Sequence, residues 1–299
     1  MSSKKSVAFI INPKAGIKHK IDFGKLIAKT FDAQQYDYSI TLTESAGHAT
    51  QLAADAVAMQ VQYICAIGGD GTINEAARSV AGTNSILAIV PSGSGNGFAR
   101  HCQIPLNAHS ALKLISQGKV MRTDTFRVND LFAMNIAGIG FEAHIAHLFA
   151  NTEGRGLYNY ARLVLKEFKS FEKFRCTINA GDAELNREVF SMAFANSSQY
   201  GNNAQIAPGA SIVDEKLNLV LLDKISILQA PSFTYKVFKG KTTESSLIET
   251  FSFKTLDVSC PYEVALHIDG DPAGFAKTFR IEINPASLNL LVPLNHFRI

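Results

Sequence analysis

Three glycine-rich segments lie in the N-terminal third of the chain, each directly after a short apolar run. They read Asn12-Pro-Lys-Ala-Gly16, Gly68-Gly-Asp-Gly-Thr72 and Pro91-Ser-Gly-Ser-Gly-Asn96. Glycine has no Cβ, so its backbone amides can approach phosphate oxygens, and a helix that follows adds partial positive charge. Each segment alone is typical of an ordinary turn, whereas three of them after successive strands predict a phosphate-binding edge.

The elements that would position these segments follow from the spacing of apolar residues. Short apolar runs alternate with amphipathic stretches, a pattern typical of βαβ units and a parallel sheet. The predicted strands are Val7–Asn12, Tyr38–Leu42, Tyr63–Ile67 and Ile86–Val90, and the predicted helices are Phe23–Phe31, His48–Met59, Thr72–Val80, one opening near Gly95, and Asn107–Ser116. Loops at the carboxyl ends of parallel strands line one crevice, so the glycine segments should meet.

The pattern changes at about Asp124, after which apolar runs separated by turn residues predict a mostly antiparallel β-sandwich. One predicted helix, Gly156–Phe171, interrupts these runs. The predicted strands are Phe132–Ile136, Arg175–Ala180, Val189–Ala195, Leu217–Leu222, Ser252–Val258, Glu263–Ile268, Thr278–Ile283 and Leu288–Val292. We therefore predict an α/β domain over residues 1–123 with a parallel sheet, followed by a β-sandwich domain.

Composition restricts the classes of protein that fit. A hydrophobic fraction of 46% with a charged fraction of 18% is typical of a folded globular chain, and a net charge of +3 is too small to indicate nucleic-acid binding. No apolar run approaches the roughly 20 residues that span a bilayer. The four cysteines are far apart and form no C-x-x-C pair, which favours reduced thiols in a cytoplasmic protein over a disulfide framework or a zinc site.

The combined motifs resemble the diacylglycerol kinase catalytic family, which includes bacterial lipid kinases, sphingosine kinases and ceramide kinase. The resemblance rests on N-P-x-A-G, G-G-D-G-T-x-N-E and P-x-G-S-G-N, and it extends through Ala207-Pro-Gly-Ala210, Asp214 and His267-Ile-Asp-Gly-Asp271. It implies a nucleotide-binding α/β domain, a lipid-substrate sandwich over residues 124–284, and a strand, 285–299, that returns to the first domain. The implied reaction transfers a phosphoryl group from ATP to a lipid hydroxyl, with ATP and Mg²⁺ as cofactors.

The resemblance also assigns residues to the nucleotide. Asp70 would be a catalytic acid that organises Mg²⁺-ATP, because a carboxylate among phosphates is repulsive unless a cation bridges it. The alternative is an aspartate that only stabilises its turn. Arg100 and Asp124 match positions with supporting roles. The nucleotide-binding positions are Asn12, Lys14, Gly16, Thr43, Gly68, Gly69, Asp70, Gly71, Thr72, Ile73, Asn74, Glu75, Ser94, Gly95 and Asn96.

Transfer of a phosphoryl group to a hydroxyl also needs a group that accepts the hydroxyl proton. The family places that group in a D-G-E sequence, and this chain has Asp269-Gly270-Asp271 there, with a second acid one methylene shorter. We predict that Asp271 accepts the proton, with Asp269 as its close competitor. The D-G pair is equally a strong signal for a hairpin turn, and both interpretations can hold together.

A structural Mg²⁺ site of bacterial relatives matches Ser211, Asp214 and Lys216, which would supply one side chain and two backbone carbonyls. The family usually has D-D-G where this chain has Val213-Asp214-Glu215. The loss of one acid and the glycine makes an ordinary turn an equal alternative.

The third loop bears on the choice of lipid. Bacterial diacylglycerol kinases usually carry an acid where this chain has Gly97, and the S-G-N pattern is closer to sphingosine and ceramide kinases. The acid by which sphingosine kinases are thought to hold the amino group matches Ala146, however, and Glu142 is only a candidate substitute. The acceptor therefore stays open between diacylglycerol and a sphingoid long-chain base.

Contact with a membrane is expected because the substrate is a lipid. The predicted helix carries Leu157, Tyr160, Ala161, Val164, Phe168 and Phe171 on one stripe, with Arg162, Lys166, Lys169 and Lys173 roughly opposite. Such a helix can lie on an anionic membrane, although packing of its stripe on the sandwich is the favoured interpretation.

The sequence also supports predictions about partners and alternative functions. We expect transient peripheral contact at the inner face of the membrane and no nucleic-acid partner, and we allow for a homodimer. An NAD kinase, which shares G-G-D-G, and a nucleotide sensor without catalysis are the alternative functions.

Overall fold

A computed structural model describes residues 4–16, 21–152, 157–181, 183–226 and 228–295. Predictions for Gly156 and for residues 296–299 lie outside the described residues, as do those for the side chains of Leu157 and Tyr160. The chain divides into two compact units. The first unit contains residues 1–124 and 285–299, and the second unit contains residues 125–284.

The first unit is an α/β structure built on a parallel sheet. Its strands are β1 (Lys5–Ile11), β2 (Tyr36–Leu42), β3 (Tyr63–Gly68), β4 (Ile86–Pro91) and the last part of β14 (Asp271–Val292). The strand order is β14–β4–β3–β1–β2, and these pairs are all parallel. The helices are α1 (Phe23–Thr30), α2 (His48–Ala58), α3 (Asp70–Val80), α4 (Gly97–His101) and α5 (Ala108–Gln117). The predicted α/β class is therefore confirmed.

The order of these strands places their carboxyl ends, and so the glycine segments, side by side. β3 lies between β1 and β4 and is buried at every residue, as expected for a strand covered on both faces by helices. Gly68 lies opposite Pro91 in the β3–β4 register, and Ile11 lies opposite Ile67 in the β1–β3 register. The second and third glycine segments therefore leave the sheet at the same level, and the first segment begins one residue beyond Ile11.

Residues 285–292 complete the first unit from far along the chain. Leu290 pairs with Leu87 of β4. The amide of Gly82 donates to the carbonyl of Ser287 at 2.7 Å, and the hydroxyl of Thr123 donates to the carbonyl of Leu288 at 3.3 Å. The edge of β4 is thus covered by a strand more than half the chain away in sequence.

The second unit is mostly antiparallel. Its strands are the end of β5 (Lys119–Val128), β6 (Leu131–Ala133), β7 (Ile136–Gly140), β8 (Phe174–Ala180), β9 (Ala183–Val189), β10 (Ser191–Ala195), β11 (Leu217–Leu222), β12 (Ile248–Phe253), β13 (Thr255–Ile268) and the start of β14. The order is β12–β11–β10–β7–β13–β14, with the β8–β9 hairpin also beside β13. β13 changes partner along its length, pairing with β8 near Val258 and with β7 near His267. The predicted sandwich class is confirmed.

Three α-helices are described in the second unit: α6 (Phe141–Ala150), α7 (Leu157–Ser170) and α8 (Ala230–Lys239). The apolar stripe of α7 packs on the sandwich, because Val164, Phe168 and Phe171 contact a buried cluster that includes Phe141 and Phe190. The favoured interpretation of this helix is therefore confirmed for those three residues. Among the described residues, no helix is both long and apolar enough to cross a membrane.

Several predicted elements of the second unit were wrong in detail. Ser252–Val258 is not one strand, because the chain breaks between β12 and β13 at Lys254. Thr278–Ile283 and Leu288–Val292 belong to the single strand β14, which continues through Pro285. The predicted run Phe132–Ile136 is divided between β6 and β7, and α6, α8 and β9 were not predicted. Pairing across the sheet, which a local pattern does not contain, decides these boundaries.

Candidate functional site

The first glycine segment is fixed to the second by Asn12. Its side-chain amide donates to Thr72 Oγ1 at 2.9 Å, and its side-chain oxygen accepts from the amide of Lys14 at 2.9 Å. The Asn12 amide itself donates to the carbonyl of Ile67 at 2.9 Å. Asn12 therefore sets the shape of its own loop and holds it against the first turn of α3, while Lys14 stays exposed.

The backbones of the glycine segments lie in close contact. A Cβ added to Gly93 would lie 2.6 Å from the Cα of Gly69, and one added to Gly16 would lie 2.7 Å from the carbonyl oxygen of Ser92. Real Cβ atoms do not approach backbone this closely, so only glycine fits at Gly16 and Gly93. The structure thus brings together the three loops that the sequence predicted to meet.

Asn96 and Arg100 hold the third loop. Asn96 has a left-handed backbone, with φ of 52°, and its side chain accepts from the Gly93 amide at 3.0 Å and donates to the Gly93 carbonyl at 2.8 Å. Arg100 Nε donates to the carbonyl of Gly95 at 3.0 Å. Ser94 lies exposed between these anchors. The side chains of Asn96 and Arg100 therefore shape the loop, and Ser94 is accessible to a ligand.

Asp70 is the first residue of α3 and faces the third loop. A Cβ on Gly95 would lie 3.2 Å from Asp70 Oδ2. Gly68 lies close to the side chain of Thr72 in the same segment, because a Cβ on Gly68 would lie 2.5 Å from the Cβ of Thr72. A carboxylate at a helix N-terminus and among three glycine loops is suited to a cation-bridged phosphate, since Mg²⁺ prefers oxygen ligands.

The remaining predicted nucleotide positions have side chains engaged in the fold. Ile73 and Asn74 are buried in α3, and Thr43 is buried with its amide donating to the Ile11 carbonyl at 2.8 Å. Glu75 Oε1 accepts from the Gly47 amide at 2.8 Å, and Oε2 accepts from the Ala49 amide at 3.1 Å. The structure thus places the Glu75 carboxylate at the N-terminus of α2, where it satisfies helix donors instead of lining the glycine loops.

Asp124 anchors the returning strand within the first unit. Its side chain is 2% exposed, and Oδ1 accepts from the amide of Ala286 at 2.7 Å. Ala286 has a φ of 46°, an uncommon conformation for a residue with a Cβ. The Asp124 bond therefore fixes the point at which the chain re-enters the first unit.

In the second unit, the D-G-D sequence forms a two-residue hairpin between β13 and β14. Asp269 and Gly270 both have positive φ, 50° and 95°, as a type I′ turn requires. The Asp269 carboxylate accepts three backbone amides, those of Met134 at 3.1 Å, Asn135 at 2.9 Å and Ile136 at 3.0 Å. Asp271 is exposed at the start of β14, opposite Ile268. The predicted hairpin turn is present, and its two carboxylates have different environments.

A polar cluster that the sequence did not predict as a unit lies next to this hairpin. Glu142 accepts a hydrogen bond from the Tyr200 hydroxyl, and its Oε2 lies 3.8 Å from His267 Nε2. His267 Nδ1 accepts from the Gly270 amide at 3.4 Å, which leaves Nε2 to carry the proton in the neutral ring. A Cβ on Gly138 would lie 2.8 Å from His267 Nε2. Tyr200 and His267 were missed because nothing local in the sequence relates them to Glu142.

Comparison with known proteins agrees with this arrangement. A model described as the diacylglycerol kinase catalytic domain matches residues 6–128, and one described as the YegS C-terminal NAD kinase beta sandwich-like domain matches residues 135–292. A Pectobacterium atrosepticum protein named "Probable lipid kinase YegS-like" is 30% identical over 268 residues, which cover 86% of this chain and 87% of the relative. The chain belongs to the YegS-like lipid kinase family.

Further relatives support this membership. A lipid kinase of the same name from Serratia proteamaculans is 28% identical over 296 residues, covering 96% of this chain and 93% of the relative. The crystal structure of a diacylglycerol kinase from Bacillus anthracis superimposes with a TM-score of 0.76 at 21% identity, covering 99% of this chain and 100% of that one. The structural likeness shows that the fold is shared, and the predicted membership of the diacylglycerol kinase superfamily is confirmed.

The residues predicted for a structural Mg²⁺ site, Ser211, Asp214 and Lys216, form a turn. Asp214 Oδ1 accepts from the amide of Lys216 at 3.1 Å, and Ser211 Oγ accepts from the amide of Val213 at 3.3 Å. Glu215 has a φ of 59°, a conformation that is uncommon for a residue with a Cβ. Within the described ranges, no three histidine, cysteine, aspartate or glutamate side chains cluster as candidate metal ligands. The Mg²⁺ site at Ser211, Asp214 and Lys216 therefore stays a prediction, and the turn is present without it.

Proposed function

We propose that the protein transfers the γ-phosphoryl group of ATP to the hydroxyl of a membrane lipid, either a diacylglycerol or a sphingoid long-chain base. The contact among the three glycine loops carries this proposal. An edge at which Gly16 and Gly93 leave no room for a Cβ keeps backbone amides accessible to phosphate oxygens. Membership of a lipid kinase family supports the lipid as the acceptor.

Mg²⁺-ATP fits the residues present in the first unit. The glycine cradle suits the phosphates, Lys14 and Ser94 are exposed beside it, and Asp70 provides the oxygen ligand that Mg²⁺ prefers. When bound, the cation would neutralise charge on the transferring phosphoryl group. In this proposal Asn12 and Asn96 act indirectly, because their side chains shape the loops that bind the nucleotide.

Asp271 is the proton acceptor in this proposal. The Asp269 carboxylate accepts three backbone amides, and a group so engaged is poorly placed to take up a proton. Asp271 is exposed and follows a rigid two-residue turn, so a lipid hydroxyl can reach it. Asp269 then positions the hairpin, and Asp271 accepts the hydroxyl proton as the phosphoryl group is transferred.

A labelled-ATP assay with Mg²⁺ tests the proposal. The acceptors would be diacylglycerol, sphingosine, dihydrosphingosine, ceramide and NAD, each presented to the wild-type protein and to Asp70→Ala and Asp271→Asn variants. We expect label to enter one lipid class and kcat to fall about 10²–10⁴-fold in Asp271→Asn, as for the loss of a general base. Asp70→Ala should abolish transfer.

The other outcomes separate the alternative functions. Label in NAD alone would replace the lipid kinase with an NAD kinase activity. Binding of ATP without transfer to any acceptor would favour a nucleotide sensor. Wild-type turnover in Asp271→Asn would reject Asp271 as the proton acceptor while leaving the kinase activity in place.

A further inference from the structure

Helix α8 keeps large apolar side chains in solvent. None of its side chains is fully buried, and Tyr235 and Phe238 are 60% and 51% exposed. Leu228, just before the helix, is 92% exposed. Soluble surfaces rarely hold several large apolar side chains together without a partner, so this group needs an explanation. We call Leu228, Tyr235 and Phe238 the α8 patch.

The two members of the α8 patch within the helix lie on one side of it. Tyr235 and Phe238 are three residues apart, which places them on the same face, and Leu228 lies in the turn before the helix. The opposite side carries Ala230 and Phe233, which pack on the cluster around Phe190. The helix is therefore held to the core by one face and presents the other outward.

The sequence around the α8 patch is basic. The chain from Lys224 to Thr243 contains lysines but no aspartate or glutamate. Lys224 pairs with Glu172 at 3.6 Å, Lys241 pairs with Glu244 at 3.3 Å and Lys236 Nζ donates to the Glu244 carbonyl. Within the described part of the chain, no carboxylate pairs with Lys239. Lysine at the end of an apolar helix face is complementary to an anionic lipid surface.

We propose that the α8 patch is the surface by which the second unit rests on an anionic membrane. Leu228, Tyr235 and Phe238 would enter the boundary between headgroups and acyl chains, with Lys239 near lipid phosphates. A tyrosine suits that boundary because its ring is apolar and its hydroxyl stays hydrated. This inference rests on the proposed function, because contact with the membrane would bring the enzyme to its lipid substrate.

The same observations disfavour a second copy of the chain as the occupant. Stable protein interfaces bury about 800 Å² on each partner, far more than three side chains supply. A symmetric contact would also bring Lys239 close to its own copy, and like charges at close range are destabilising.

A series of polar contacts leads from the α8 helix to the hairpin that carries Asp271. The amide of Gln205 donates to the carbonyl of Val237 at 3.1 Å, within the same loop that carries Tyr200. Tyr200 donates to Glu142, which lies beside His267, two residues before Asp269. The membrane surface and the candidate proton acceptor thus belong to one connected part of the second unit.

Vesicle flotation of the full chain tests the proposal. The vesicles would contain phosphatidylcholine alone or phosphatidylcholine mixed with phosphatidylglycerol. We expect the double variant Tyr235→Ser and Phe238→Ser to lose about tenfold or more in partition onto mixed vesicles. Lys239→Gln should lose roughly fivefold on mixed vesicles and nothing on neutral ones. Leu165→Ser is the matched control, because Leu165 is 73% exposed on α7 and should not contribute.

Activity separates this inference from the proposed function. Turnover of a short-chain form of whichever lipid accepts the label, dissolved below its critical micelle concentration, should be unchanged in the double variant, which also shows that the variant folds. If the double variant loses vesicle binding and the wild-type protein phosphorylates no lipid, the α8 patch is supported as the membrane surface and the kinase activity is rejected.

Three results would overturn the proposal. They are wild-type protein that does not float with mixed vesicles, a double variant that floats as wild type does, and a wild-type dimer in gel filtration that the double variant dissociates. The last result would assign the α8 patch to a second copy of the chain.

Discussion

The glycine loops of the first unit and the D-G-D hairpin of the second are held in opposite ways. In the loops, a Cβ on Gly93 would lie 2.6 Å from the Cα of Gly69, so the backbones touch and leave no space. In the hairpin, a Cβ on Gly270 would meet nothing within 4 Å. There the Asp269 carboxylate holds the backbone by accepting hydrogen bonds from the amides of Met134, Asn135 and Ile136. These three residues precede Asp269 by 133 to 135 positions in the sequence.

The comparison teaches that the two regions should respond to different kinds of mutation. A loop made by close backbone contact is disturbed by added atoms. A hairpin held by one side chain is disturbed when that side chain is removed, because buried amides then lose their acceptors.

The largest expected effect is in the second unit, for Asp269→Ala. This change leaves the amides of Met134, Asn135 and Ile136 without their acceptor, and we expect the free energy of unfolding of this unit to fall by about 4 kcal/mol. Hydrogen exchange at these three amides should accelerate with it. Asp271→Ala is the matched control and should change stability by less than about 0.5 kcal/mol, because Asp271 is exposed. Equal stability in the two variants would contradict the anchoring role of Asp269.

The next effect is in the first unit, for Gly93→Ala. The new methyl group must displace the backbone at Gly69, so we expect a loss of about 2 to 3 kcal/mol in stability. Displacement of the loop should also lower kcat/KM about a hundredfold. Calorimetry and the labelled-ATP assay measure the two quantities.

The control for Gly93→Ala is Gly24→Ala, in helix α1. A Cβ there would lie 3.4 Å from Asp22 Oδ1, an ordinary contact, and alanine favours a helix by roughly 0.5–1 kcal/mol. Gly24→Ala should therefore keep full activity and gain slightly in stability. Normal nucleotide affinity in Gly93→Ala would show that the loops separate without loss of function.

A smaller loss of stability is expected for substitutions at Asn96, which has the same backbone conformation as Asp269. Asn96 has a φ of 52° and Asp269 a φ of 50°, but the side chain of Asn96 bonds within its own loop, to Gly93. We expect Asn96→Ala to lose about 2 kcal/mol and Asn96→Gly about 1 kcal/mol less than that, because glycine adopts a left-handed backbone without strain. Thermal unfolding of both variants would measure the difference, and identical values would exclude a contribution from backbone strain.

The smallest effect concerns Glu75. Its carboxylate accepts the Gly47 and Ala49 amides at the start of α2, so Glu75→Gln should destabilise the first unit by about 1 kcal/mol. The KM for ATP should stay within about twofold, since the side chain does not line the glycine loops. A large rise in that KM together with normal stability would return Glu75 to the nucleotide-binding residues.

Local and distant contacts also explain what the sequence could predict. The first unit follows from short patterns, because each glycine segment directly follows a strand and Asn96 bonds to a residue three positions earlier. The hairpin at Asp269 was expected from the D-G pair, but its bonds to Met134 and Asn135 depend on the folding of distant segments. The cluster of Glu142, Tyr200 and His267 could not be predicted for the same reason, because its members come from distant segments of the sequence.

The helices of the second unit show a second limit. α7 was predicted because its apolar residues form one stripe with charges opposite. α6 was missed because its apolar residues, such as Phe141, Ala143 and Ala146, are distributed around the helix. α8 was missed because Pro231 lies at its start and apolar residues point both inward and outward.

The return of residues 285–292 to the sheet of the first unit has a consequence for synthesis of the chain. The second unit has all of its residues once the ribosome has passed residue 284, whereas the first unit then still lacks the strand that pairs with β4. The N-terminal unit is therefore completed after the unit that follows it, which reverses the usual order of vectorial folding. Until that strand is synthesised, β4 is an open sheet edge. Another nascent chain could pair with this edge, and chaperone binding there would prevent such pairing.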